Sequence, residues 1–198
     1  MPTPTLTQAK AGEQLIIISD FHNGTVDQGY NISGRIEEAL SNEIRDNGLS
    51  DVRTAILTQV LKSKTEAQNI LKQSKAVLVI WGEYDSGRVV VRYADQEGQR
   101  QISQELQTPG DLPVLINKET PKEVKALALA TLGQIYRKDG NDEKAESVLQ
   151  LALAQQPEAR DIRARALFYL ARIAEKEARQ QESIQHYGQA IDYYTQLA

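Results

Sequence analysis

The amino-terminal half of the chain mixes short apolar runs with helically spaced apolar positions. Leu15-Ile-Ile-Ile18 is wholly apolar and short, the signature of a strand buried on both faces. A polar stretch from Gly24 to Gly29 reads as a loop. Ile32, Ile36, Ala39, Leu40 and Ile44 then repeat with helical spacing, and Asn47-Gly48 ends that helix. Val52 to Leu57 predicts a second strand. Ser63-Lys-Thr-Glu66 is a capping box that opens a helix through Ile70 and Leu71. Ala76–Tyr84 and Arg88–Ala94 read as two strands joined by a hairpin turn at Asp85-Ser86-Gly87. The order strand, helix, strand, helix, strand, strand predicts an α/β layer domain with a mixed sheet over residues 13–107.

Beyond residue 120 the pattern becomes purely helical. Thr120-Pro121-Lys122-Glu123 has the form of a capping box with Pro at the first helical position. Leu129, Leu132, Gly133 and Tyr136 follow on one helix, and Ala145, Leu149, Ala152 and Pro157 on the next. Asp139-Gly140-Asn141 separates them, Gly suiting a left-handed helix end and Asn the next cap. Small residues at Gly133, Ala145 and Ala152 mark a close helix crossing that Leu132, Tyr136 and Leu149 fill. These offsets, counted from Ala126, resemble a tetratricopeptide repeat (TPR), with Leu129 where that family usually has Trp. A second copy, counted from Ala164, places Leu167, Leu170, Ala171 and Ala174 on its first helix and Ser183, Tyr187 and Ala190 on its second. Ala171 replaces the usual Gly and Ala174 the usual Tyr. The copies lie further apart than the family's period of about 34 residues. Glu158-Ala159-Arg160-Asp161 accounts for the excess as a linker or an extra helical turn. The fold class is therefore α+β: a linker over 1–12, the layer domain, a linker over 108–120, and two TPR units over 121–198.

The TPR resemblance implies a protein-binding scaffold whose concave surface is lined by the first helix of each pair. The groove positions are Leu127, Ala130, Gln134 and Arg137 in the first copy, and Arg165, Phe168, Arg172 and Glu175 in the second. Three Arg among them imply a basic surface suited to an acidic segment or a chain carboxylate. The Lys/Asn pattern of the family's carboxylate clamp is absent. The last helix carries Ile184, Tyr187, Ala190, Ile191, Tyr194 and Leu197, more apolar groups than one buried stripe needs. Further repeats of a longer protein, the layer domain or a second copy of this chain would cover the excess, and of these self-association as a homodimer through Ile184, Tyr187, Ile191 and Tyr194 is expected. Ile16-Ile-Ile-Ser-Asp-Phe21-His-Asn23 and Ala76-Val-Leu-Val-Ile-Trp-Gly82-Glu-Tyr84 resemble the first strand, its loop and the Gly-ended strand of the amino-terminal domain of the TolB type. That resemblance implies an assembly module of the kind that precedes TPR arrays in bacterial signalling proteins, with no shared catalytic set.

Composition narrows the field. The 198 residues carry a net charge of −4, which argues against general nucleic-acid binding. The acidic excess falls in residues 1–120, with 12 Lys and Arg against 16 Asp and Glu, whereas residues 121–198 balance at 11 and 11. Without cysteine there are no disulfides, thiolate metal sites or Cys nucleophiles. No apolar run approaches the roughly 20 residues of a membrane span, and the amino terminus lacks the form of a signal peptide. Met1-Pro-Thr-Pro-Thr-Leu-Thr-Gln reads as a Pro/Thr linker and suggests a piece of a longer protein. A cytoplasmic location is favoured, with an extracytoplasmic domain of an anchored parent as the alternative.

The enzyme-like signals are thin. Ser19-Asp20-Phe21-His22-Asn23-Gly24 imitates the Asp-x-His opening of calcineurin-like metallophosphoesterases. That chemistry needs several carboxylates and histidines around two metals, the family's later segments do not occur, and the other histidine is His186. Asp85-Ser86-Gly87 fits a hairpin better than a nucleophile. No Walker loop or dinucleotide fingerprint occurs. Trp81, Tyr84 and Tyr93 offer an aromatic binding face on the hairpin, but alternation there predicts half core and half solvated positions, and Trp81 is expected to pack. The expectation is a non-enzymatic interaction scaffold without cofactor or metal. The alternatives are a sensor that holds a small ligand between its sheet and helices, and a divergent metal-dependent phosphoesterase.

Overall fold

The computed structural model describes residues 6–24, 29–95, 98–105 and 111–196. The chain divides into two compact units, Met1–Pro121 and Lys122–Ala198.

In the first unit β1 (Gln14–Asp20) is flanked in parallel by β3 (Val52–Val60) and β4 (Leu78–Tyr84). Two antiparallel strands, β5 (Arg88–Asp95) and β6 (Gly98–Glu105), continue the sheet to give the order β3-β1-β4-β5-β6. A two-residue strand, β2 (His22–Asn23), pairs with the end of β4 where the sequence predicts a polar turn. The sheet is mixed, as the pattern predicts, but β6 is unforeseen. Its sequence holds one large apolar residue, Ile102, so alternation gives no signal; its strand character comes from backbone pairing with β5.

The apolar runs are buried on both faces because a helix covers each. Leu15, Ile17, Val79, Trp81 and Ala94 form one layer, against which Ala67, Ile70 and Leu71 of α2 (Lys64–Ser74) pack. Ile16 and Ile18 point the other way, toward the face met by α1 (Ile32–Asp46). There Thr54 Oγ1 donates to Glu37 Oε1 at 2.8 Å and Ser33 Oγ donates to Asp20 Oδ1 at 3.1 Å. Trp81, Tyr84 and Tyr93 are all buried, which makes them core residues. The hairpin turn closes on Asp85, whose Oδ1 accepts the N–H groups of Gly87 and Arg88 at 2.8 and 3.0 Å.

Two expected linkers are built differently. Residues 6–12 are fastened to the sheet unit. Ala9 N–H donates to Ser74 O at 2.8 Å, Arg53 Nη2 donates to Gln8 O at 3.1 Å, and Leu6 and Ala9 pack against the α2-side core. In the stretch expected as a linker over 108–120, residues 108–110 lie outside the described residues and the rest is helical. A short helix α3 (Leu112–Val114) leads into a π-helical turn over Leu115–Glu119 and then α4 (Thr120–Lys138). Leu112 and Ile116 are buried, and that apolar pair draws the backbone into a helix.

The capping box expected at Thr120–Glu123 is therefore not a helix start. The chain is already helical upstream, and the wide turn before Pro121 accommodates a ring that clashes in a regular helix. Glu123 instead accepts N–H groups from Glu158 at 2.6 Å and Ala159 at 3.3 Å. It serves the start of α6 (Arg160–Lys176), whose own cap residue Ala159 offers no side-chain acceptor.

The second unit comprises the bulk of α4, α5 (Asp142–Ala154), α6 and α7 (Gln180–Thr195). Its two helix pairs repeat at an offset of 38 residues. The first helices end at Lys138 and Lys176, and the second begin at Asp142 and Gln180. Left-handed residues follow at Gly140 (φ 83°) and Ala178 (φ 59°), and the helix caps at Asn141 and Arg179. Asn141 Oδ1 accepts from Lys144 N–H at 3.2 Å, as its sequence predicts. Ala178 takes the same strained conformation without glycine's freedom.

Candidate functional site

The predicted groove residues divide by exposure. Leu127, Ala130 and Arg165 are 0%, 1% and 3% exposed, so they do not form an open face. Arg165 is drawn inward, with its Nη1 3.4 Å from Thr131 Oγ1. Gln134, Arg137 and Phe168 are half-buried, and Arg172 and Glu175 are exposed. The basic surface thus rests on two guanidinium groups where three were expected.

Of these, Phe168, Arg172 and Glu175 form a cluster with a member assigned elsewhere by sequence. Tyr187, expected on the self-association face, turns toward α6. Its ring meets Phe168 edge-on at 6.0 Å and its hydroxyl donates to Glu175 Oε2 at 3.0 Å. Arg172 Nε lies 3.6 Å from the same oxygen. Burial raises the Tyr187 phenol above its usual range, and the Glu175 carboxylate adds to this, against the opposing pull of Arg172 and Arg137. The two cations therefore act on one phenol across the α4–α6–α7 face. Arg137 Nε is buried and has no hydrogen-bond partner among the described residues.

Two recesses adjoin α7. One, of about 440 Å³, is lined by Glu175, Ala178, Gln180, Ser183, Ile184 and Tyr187. The other, of about 790 Å³, is lined by residues of α5, α6 and α7 that include Leu153, Arg163, Leu167, Asp192 and Tyr193. Arg163 stacks over the Tyr193 ring at 5.7 Å. Neither recess is visible in sequence, since each is made by residues on separate helices.

Of the residues expected to associate, Ile184, Ile191 and Tyr194 are exposed by 64%, 59% and 42%. Among the enzyme-like signals, Asp20 is held by Ser33, and His22 is exposed on β2. Among the described residues no group of three His, Cys, Asp or Glu side chains is placed to hold a metal ion, and no helix is long and apolar enough to cross a membrane. No family model matches the chain, and no curated protein matches it.

Proposed function

We propose that this chain is a non-enzymatic scaffold in which two tetratricopeptide repeats follow a TolB-type assembly module, and that the Arg137–Arg172 face takes an acidic segment of another protein. The observation that carries this reading is the 38-residue recurrence of helix end, left-handed turn, cap and helix start. Recurring helix hairpins stack and present a surface, and their usual ligands are polypeptides. The cluster supplies the chemistry. Phe168 and Tyr187 give an aromatic floor, and the guanidinium groups of Arg137 and Arg172 give carboxylate donors.

Fluorescence anisotropy with a labelled Glu-rich peptide tests the reading. Binding should weaken about tenfold or more in Arg137→Glu combined with Arg172→Glu, and should fall with rising salt. Equal binding of a Lys-rich peptide, or indifference to both changes, rules the acidic ligand out.

A small-ligand reading draws on one observation, which lies in the helical unit and not between sheet and helices as the sensor alternative has it: the recess beside Arg163 falls in the size range of small-molecule sites. Against the sheet, a recess near Leu6, Ile17 and Ala55 holds about 60 Å³, too little for a metabolite. A thermal-shift screen with metabolites addresses this reading, since a ligand of the native state raises the melting temperature.

A further inference from the structure

Glu175 is an acid beside the cations of the candidate surface. Its Oε2 accepts from the Tyr187 hydroxyl at 3.0 Å and lies 3.6 Å from Arg172 Nε. A phenol donor and a guanidinium that converge on one carboxylate oxygen are the contacts a carboxylate from outside would need. Arg137 also acts on the Tyr187 phenol, in the same sense as Arg172.

Only one side of this contact is fixed. Tyr187 is half-buried, and its ring is held edge-on to Phe168 at 6.0 Å. The Glu175 side chain is 62% exposed and its Arg172 partner 47%. An exposed pair within one helix holds its members weakly. Glu175 also lines the recess of about 440 Å³ together with Gln180 and Ser183, so its carboxylate has room to swing off the phenol. The donor stays in place, and the acceptor can leave.

We infer that Glu175 is a tethered stand-in for the ligand's carboxylate: it holds the Tyr187 hydroxyl and Arg172 in the free protein, and an acidic segment of the partner displaces it and takes both contacts. This inference rests on the acidic-segment reading of the same face. A competitor carried on the protein acts at high effective concentration. A lone carboxylate, such as a peptide's carboxyl terminus, gains little by replacing one carboxylate with another. A segment with several carboxylates gains more, because a second one is attracted by Arg137. Glu175 therefore selects polyacidic segments over single chain ends.

Fluorescence anisotropy on the full chain supplies the test, with two labelled peptides: an amidated Glu-rich one, and one that is neutral apart from a free carboxyl terminus. Wild type should bind the first and show no measurable binding of the second. Glu175→Gln should tighten the Glu-rich peptide about tenfold and bring the neutral peptide into range, with melting unchanged because the side chain is exposed. In the Tyr187→Phe background the gain from Glu175→Gln should shrink to about twofold or less; a field effect of the charge alone would keep it whole. Spectrophotometric titration, read as the difference from Tyr187→Phe, should show the Tyr187 phenol ionising at lower pH in Glu175→Gln, since the carboxylate raises it. Wild-type binding that Glu175→Gln leaves unchanged, an equal gain in the Tyr187→Phe background, or an unmoved phenol would each overturn this proposal and leave the acidic-segment reading standing. No binding in any variant would overturn both.

Discussion

Gly133 of α4 is seated directly on Leu149 of α5: a Cβ at residue 133 would stand 2.5 Å from Leu149 Cγ and 3.3 Å from the Ala145 carbonyl oxygen. Leu149 is fully buried and has no room to withdraw. Gly133→Leu should therefore destabilise the chain by about 1–3 kcal/mol, whereas Gln134→Leu, one step round the helix and half-buried, should be tolerated. Leu149→Ala should partly restore the Gly133→Ala variant, because the obstructing atoms are side-chain atoms. Chemical denaturation of the four variants and the double variant gives the coupling; strict additivity would count against this contact.

Gly82 on β4 presents the opposite case. A Cβ there would fall 2.1 Å from the Val90 carbonyl oxygen of β5 and 2.5 Å from Phe21 Cε1. The ring could be removed, but the backbone could not. Gly82→Ala should thus cost several kcal/mol, on the order of the large tail of point-mutant effects, and Phe21→Ala should not rescue it. Thermal unfolding of both variants decides the matter, with recovery in the double variant as the contrary result.

The acid limb of stability should involve Glu13. Hydrogen bonds from Arg53, and then from the Lys10 N–H, hold this carboxyl at about 2, below its ordinary 4.5. A carboxylate depressed in the folded state contributes stability that is fully present above the unfolded value and is lost as the pH falls toward the folded one. Stability should decline from about pH 4.5 toward about pH 2. Glu13→Gln should flatten its share of that decline while also loosening residues 8–13. Urea titrations across this range in both proteins would show it; parallel curves would not support the assignment.

Arg179 joins the two helix pairs. Its guanidinium meets Glu146 and Glu177 at 2.8 Å and Glu182 at 2.7 Å, and these carboxylates hold it firmly in the charged form. Arg179→Ala should lower stability by about 1 kcal/mol, the scale of a partly exposed network. Arg179→Lys should recover little, since a point charge cannot serve three carboxylates as a planar fork does. Unfolding at low and high salt should show the difference shrinking as salt rises; an unchanged difference would place the cost elsewhere.

The apolar pattern alone determined most of the elements. Leu15–Ile18 had to be a strand covered on both faces, since four successive apolar residues cannot alternate with water. Gly133, Gly140, Asn141 and Ala145 had to build a close hairpin, because each acts through local backbone geometry or its small size. Tertiary structure decided whatever depends on distant neighbours. Strand β6 exists through its pairing with β5. Thr120 lost its expected capping role because Leu112 and Ile116 extend the helix upstream, and Glu123 turned to the Glu158–Ala159 backbone. Arg165 sank beside Thr131, and Tyr187 turned to Phe168 and Glu175, so that the candidate surface gained an aromatic floor and lost a cation. Sequence spacing fixes which side of a helix a residue occupies, but only packing fixes what stands opposite it.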